Sequence, residues 1–230
     1  TGATNLPASI AVDDDVTLTM LASQANTLTV TGAGTVIVES LANDTNLANV
    51  STTNLTLQLA GDVTYTGSVH GTPAITLDTN NDTTARAIDI TGGTFNPASI
   101  AVDNDVTLTM LASQANGETI TGAGTVIVES LGATTNLANV STTNLTLQLA
   151  ADITYTGTFN TGPALTFDTN NNTTARAVDI TGATNLPASI AVDNDVTLTM
   201  LASQANGGTI TGAGTVIVES LGATTNLANV

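Results

Sequence analysis

The sequence predicts an all-β chain of tandem repeats, wound as a parallel β-solenoid. Three observations predict it. The chain of 230 residues repeats itself with a period of ninety. Within each repeat, apolar residues alternate with Thr over short runs, the mark of strands with one buried face. Only 2% of the residues are aromatic and Trp is absent, whereas 41% are hydrophobic. Rings bury the largest areas in a thick core, so this composition favours a thin interior of Val, Ile, Leu, Ala and Met, repeated many times.

The repeat sets the domain organisation. Residues 1–90 form one unit, residues 91–180 a second, and residues 181–230 the first half of a third, as in a window cut from a longer array. Segment 91–140 differs from 181–230 at only four of fifty positions, and segment 51–90 from 141–180 at eleven of forty. Near-identity at a long fixed period is the signature of an array. The organising stretch runs from Val16 to Glu39 and returns at Val106 and at Val196. A weaker likeness inside the unit pairs residues 16–22 (VTLTMLA) with 55–61 (LTLQLAG).

Each strand has its own justification. Val16, Leu18 and Met20 alternate with Thr17 and Thr19, and Leu55, Leu57 and Leu59 with Thr56 and Gln58. Val36 and Val38 sit among Thr35, Ile37 and Glu39, Val63 and Tyr65 flank Thr64, and Ile75 and Leu77 flank Thr76. Shorter apolar marks fall at Ile10/Val12, Val30, Leu47/Val50 and Ile88/Ile90, which makes about nine short strands per unit. Strong helix formers are sparse and β-branched residues dominate, so no helix is expected. Gly32-Ala33-Gly34, Gly71-Thr72-Pro73, Asn80-Asn81 and Asn116-Gly117 read as turns, because Gly and Asn tolerate positive φ and Pro fixes φ. Position 28 varies as Leu28, Glu118, Gly208 and reads as surface; Val30, Ile120 and Ile210 read as core, as do Ile75/Leu77 and their counterparts Leu165/Phe167.

Nine strands can be dealt as three coils of three, advancing about 14 Å per unit at the spacing of stacked strands. The alternative is a string of immunoglobulin-like β-sandwich domains, one per ninety residues. Asn116-Gly117 and Asn206-Gly207 would then be hairpin turns.

Charge excludes several partners. There are nineteen acids, two Arg and no Lys, for a formal charge of −17. Phosphate backbones need clustered cations, so nucleic acid is excluded, and so is an anionic membrane surface. No apolar run is long enough to span a bilayer, so no membrane insertion is expected. There is no Cys with which to read redox compartment.

Candidate chemistry is sparse. Asp13, Asp14 and Asp15 recur as Asp103-Asn104-Asp105 and Asp193-Asn194-Asp195. Asp78-Thr79-Asn80-Asn81-Asp82 recurs at 168–172 with Asn172 in place of Asp82. Alternating oxygen ligands suit calcium, but the loop glycine and distal Glu of the full motif are missing, and solvated turns explain the same residues. Thr-x-Thr at Thr17/Thr19, Thr29/Thr31 and Thr64/Thr66 suits a water-ordering, ice-binding face, or simply outward strand positions. Arg86 and Arg176 each lie three residues from an acid, Asp89 or Asp179, and read as structural ion pairs or strand-edge charges. His70 becomes Asn160 in the next copy. No nucleophile–base arrangement recurs and no phosphate loop is present, so no catalytic, cofactor or metal residue is assigned and the chain is not expected to be an enzyme.

The three copies of TGAGTVIVESL and the Thr- and Asn-rich strands around them resemble the repeat region of large secreted bacterial surface proteins, the stalks of adhesins and filament-forming appendages. The resemblance implies an extracellular, cell-surface structural array. Its partners would be copies of itself, joined as a stiff rod, filament or tube. Two alternatives are the spacer of a monomeric adhesin and a calcium- or ice-binding module.

Overall fold

A computed structural model describes residues 2–80, 83–170 and 174–230. The chain divides into two compact units: one comprises Thr1–Thr109 and Thr119–Gly124, the other Met110–Glu118 and Thr125–Val230. In each unit the strands are short and stack as a parallel β-solenoid, whose inward residues form continuous apolar columns.

In the first unit, successive turns lay strands on one another in register. One ladder joins Ser9–Ala11 to the start of Thr29–Glu39 and then to the start of Val50–Gln58, through Ile10, Val30 and Val50. A second runs through Thr17–Leu21, residues 35–39 and 54–58, Ala74–Asp78, Ser99–Val102 and residues 120–121. A third joins Val63–Thr64, Arg86–Asp89 and residues 106–109. Short pairings from Leu47 to Val69, and of Ser68–Val69 with Thr94–Phe95, close the turn. Pairing is parallel throughout these ladders.

Period-two alternation puts one residue in two inside. On the second ladder, Leu18, Val36, Leu55, Ile75, Ile100 and Ile120 are direct neighbours, rung to rung. From Val36 to Ile120 every member of that column is at most 1% exposed. Met20, Val38, Leu57, Leu77 and Val102 form a second column beside it. Full burial of such side chains contributes about 1.5–3 kcal/mol each, so neighbouring turns hold each other. The likeness of residues 16–22 to 55–61 has its cause here: Leu18/Met20 and Leu55/Leu57 occupy the same two columns.

The second unit repeats the scheme. Residues 144–148, Ala164–Asp168, Ser189–Val192 and Thr209–Gly212 stack in register. So do Ile153–Thr154, Arg176–Asp179, Val196–Leu201 and Thr215–Glu219. Phe167 replaces Leu77 in the inner column, apolar for apolar, and is fully buried.

Five expectations need correction. The first is coil length. Neighbouring rungs lie mostly about twenty residues apart, as Ile10, Val30 and Val50 do, with a longer step from Ile75 to Ile100. From Ile10 the chain climbs two rungs to Val50, crosses along one strand to Leu55, then climbs two more to Ile100. Each repeat therefore spans four turns plus one side, not three turns. The second is the absence of helix. Ala22–Ala25, Ala112–Ala115 and Ala202–Ala205 each form one helical turn. Gln24 accepts the Leu21 N–H at 2.8 Å, as Gln114 and Gln204 do for Leu111 and Leu201, which satisfies a donor at the helix start. Buried Ala22 and Ala25 let the helix sit close to the core.

The third concerns rings. Tyr65, Tyr155, Phe159 and Phe167 are all fully buried, so the few aromatics do serve the interior. The fourth is Leu28, which is only 3% exposed; only the copies at Glu118 and Gly208 are partly open. The fifth is the hairpin reading of Asn116-Gly117 and Asn206-Gly207. Gly117 and Gly207 have φ of 80° and 76°, but they follow the helical turns and lead into parallel strands.

Gly32-Ala33-Gly34 is a bend within Thr29–Glu39, where the register shifts. Below it the chain carries two extra residues at the Asp13 turn, since Ile10 pairs with Val30 but Leu18 with Val36. Gly32 has φ 124°, and a Cβ there would run into the Val12 backbone. Only glycine permits both the backbone angle and the approach. Gly122 and Gly212 repeat the arrangement over Val102 and Val192.

Candidate functional site

The acidic turns lie at the corners of the coils. Asp13, Asp14 and Asp15 are exposed, and the turn closes by the Val16 N–H donating to the Asp13 carbonyl at 2.9 Å. In the second copy Asn104 donates to Asp105 at 2.9 Å, and in the third Asn194 donates to Asp195 at 3.0 Å. These oxygens face the turn's own donors. Asp78 accepts from Gln58 Nε2 at 3.1 Å and from the Asn80 N–H at 3.0 Å. Asn81, Asp82, Asn171 and Asn172, which complete the calcium reading, lie outside the described residues. Among the described residues no three acidic or His side chains converge as a metal would require.

Other acids and amides stitch turn to turn. Asp62 accepts the Ala87 N–H at 2.9 Å, and Asp152 accepts that of Ala177 at 2.9 Å. Asn116 accepts the Asn136 N–H at 2.8 Å, and Asn136 in turn accepts that of Ala138 at 3.1 Å. Asn206, Asn226 and Ala228 repeat this chain at 2.9 and 3.1 Å, and Asn26, Asn46 and Ala48 do so in the first copy. Backbone donors at corners lack ladder partners, and Asx oxygens supply them. Much of the polar composition is thereby spent on closing turns.

The Thr-x-Thr pairs do not share one surface. Thr17 and Thr19 point outward on the second ladder, Thr29 and Thr31 on the first, and Thr64 belongs to the third. On the second ladder the outward column reads Thr19, Ile37, Thr56, Thr76, Ala101, Thr121, so Ile37 and Ala101 interrupt it.

Arg86 and Asp89 lie three residues apart on one strand, which puts them on opposite faces. Arg86 shares the side of buried Ile88 and pairs with Val106, while its N–H donates to the Asp105 carbonyl at 2.8 Å. Arg176 repeats the placement beside Val196, with Asp195 at 2.8 Å.

The described surface carries several clefts. One of about 490 Å³ is lined by His70, Thr72, Thr94, Phe95 and Asn96, with His70 its single ionisable group. In the second unit Asn160 holds the Ala138 carbonyl at 2.8 Å, a structural contact where His70 stands in the first. Two more, of about 390 and 250 Å³, are equivalent: Glu39, Ser40, Gln58 and Asn80 line one, and Glu129, Ser130, Gln148 and Asn170 the other. Ser40 and Ser130 adopt φ of 55° and 56°, an uncommon backbone for non-glycine residues. Alternation and composition gave no sign of this recurrence; the repeated Glu-Ser pair at the end of TVIVES is its one sequence mark.

The most displaced ionisations belong to Tyr65 and Tyr155, whose hydroxyls burial pushes far above the usual phenol range. Both are core residues, neither lines these clefts, and neither is paired with a base. No protein-family model matches the chain, and neither a curated protein nor a solved structure does.

Proposed function

We propose that the chain is an extracellular, cell-surface structural protein, a stiff rod whose turns stack on one another and whose copies assemble into a filament or tube. One observation carries this reading: the inner column from Val36 through Leu55, Ile75 and Ile100 to Ile120, in which each rung is buried by the next. A fold whose stability lies in rung-on-rung contact extends as long as matching rungs are added. The polar side chains support the same reading, since so many are engaged in closing turns. No helix among the described residues is long and apolar enough to cross a membrane.

Sedimentation of the recombinant chain over a range of concentrations tests it, with electron microscopy of the same samples. Concentration-dependent fibres are expected. A persistent monomer would favour the spacer of an adhesin instead. Calcium or ice chemistry would register as a chelator-dependent melting temperature or as thermal hysteresis, and neither is expected.

A further inference from the structure

The cleft beside Phe95 sits where two stacked segments differ in length. Val69 pairs with Phe95, and Ala74 with Ser99, so residues 70–73 face only residues 96–98. The extra residue falls in the turn where Gly71 has φ 84°. The second unit has the same excess, since Thr158 pairs with Thr184 and Leu165 with Ile190. The frame is shared, but the side chains are not. Asn160, at the place of His70, donates to the Ala138 carbonyl at 2.8 Å and accepts the Gly162 N–H at 2.9 Å. Thr184, at the place of Thr94, donates to Thr158 Oγ1 at 3.1 Å. Gly162, Asn185 and Leu186 stand for Thr72, Phe95 and Asn96. In the first unit His70, Thr72, Thr94 and Asn96 are all exposed, and none of their side chains makes a hydrogen bond to a described residue. Four idle polar groups thus surround one half-buried ring, in a chain that elsewhere spends such groups on closing turns. Tyr65 meets that ring edge-on, with centres 5.4 Å apart, which fixes its orientation in advance.

We infer that this cleft binds a neutral saccharide. Its occupant must offer an apolar face to Phe95, hydrogen-bonding groups around its edge, and no net charge. A hexose ring has that shape of chemistry: C–H groups on a face and hydroxyls around the rim. The C–H groups suit the negative face of an aromatic ring. Hydroxyls both donate and accept, so they match the Asn96 amide, the His70 imidazole and the two Thr hydroxyls. An anion would find no Arg or Lys in the lining, and would approach a chain with nineteen acids against two Arg. A cation would find no carboxylate in the lining. The volume of about 490 Å³ falls within the range of small-molecule sites, with room for about one or two sugar rings. The site lies wholly within the first unit and is independent of self-assembly.

Saturation-transfer NMR on the whole chain tests it. Maltotriose, cellotriose, mannotriose and N,N′-diacetylchitobiose serve as neutral probes, a galacturonate trimer as the anionic probe and a glucosamine trimer as the cationic one. At least one neutral probe is expected to bind with a Kd of about 1 mM or tighter, and both charged probes at least about tenfold more weakly. Phe95→Asn and Asn96→Leu install the residues that the second unit carries in the same frame, Asn185 and Leu186. Each is expected to weaken binding at least about tenfold, through loss of the ring face or of the amide. Asn185→Ala, in the second unit, is expected to leave binding unchanged. Should Phe95→Asn lose its β-sheet circular dichroism, Thr72→Gly, which copies Gly162, takes its place with Asn96→Leu. The inference is overturned if no neutral probe binds, if a charged probe binds best, or if binding survives the first-unit substitutions.

Discussion

The surroundings of Tyr65 and Tyr155 are the same place in two repeats, solved in two ways. Tyr65 meets Phe95 edge-on, with ring centres 5.4 Å apart. Tyr155 stacks on Phe159 at 4.7 Å, and Phe159 meets Phe167 at 6.5 Å. Phe159 stands where the first repeat has Val69, and Asn185 where it has Phe95. Val69 and Phe95 are partners on adjacent rungs. The ring has thus moved one rung along the stack, and the position it leaves is taken by exposed Asn185. The backbone follows: Asn185 has φ 56°, whereas position 95 is in a strand. In both copies a glycine, Gly67 or Gly157, lies so close over the Tyr ring that a Cβ would collide with it and with the carbonyl of Thr45 or Thr135. A solenoid corner, then, accepts its ring on either of two rungs but keeps one glycine, rather than a fixed residue at each position.

The comparison breaks hardest at the ring. Phe159→Ala is expected to cost about 3–5 kcal/mol in urea denaturation. Val69→Ala, at the equivalent position, is expected to cost about 2 kcal/mol. Equal losses would mean that the two corners do not share the burden as the geometry indicates.

A smaller effect separates the hydroxyls. Tyr155 donates to the Thr135 carbonyl at 2.6 Å, whereas the buried Tyr65 hydroxyl has no hydrogen-bond partner among the described residues. Tyr155→Phe should therefore lose about 1 kcal/mol, and Tyr65→Phe should be neutral or slightly stabilising. The reverse order would show that the first corner hides a partner.

The mildest effect appears only in alkali. Burial raises both phenol pKa values above the ordinary 10.0. Between the unfolded and folded values the unfolded chain has lost the proton and the folded chain keeps it, so stability falls as pH rises above about 10. Below that pH the tyrosines contribute no slope. Double replacement by Phe should flatten the alkaline limb of a pH–stability profile; an unchanged limb would mean that other groups govern it.

Much of the fold is legible in local alternation. Val36/Val38, Leu55/Leu57 and Ile75/Leu77 announce their inward faces because a strand has period two. The length of a turn is not local. It depends on which residue sits on which, and the unequal steps, two residues extra at the Asp13 turn and a long step from Ile75 to Ile100, blur a twenty-residue period beneath a sharp ninety-residue one. The helical turns hid in four residues of Ala-Ser-Gln-Ala, shorter than any amphipathic pattern, with Gln24 as the single mark. Leu28 misled because variation among copies measures tolerance at Glu118 and Gly208 and says nothing of the packing of the leucine itself. At the clefts, Ser40 and Ser130 take a positive φ directly after their strands end at Glu39 and Glu129, a backbone that the residue type does not announce.

The crossing from Val50 to Leu55 along a single strand has a consequence inside the first unit. The Asp13 corner leaves the ladder of Ile10, whereas its copy at Asp103 leaves the ladder of Ile100. Identical text is thereby presented on two different flanks, and its acids do not line up above one another.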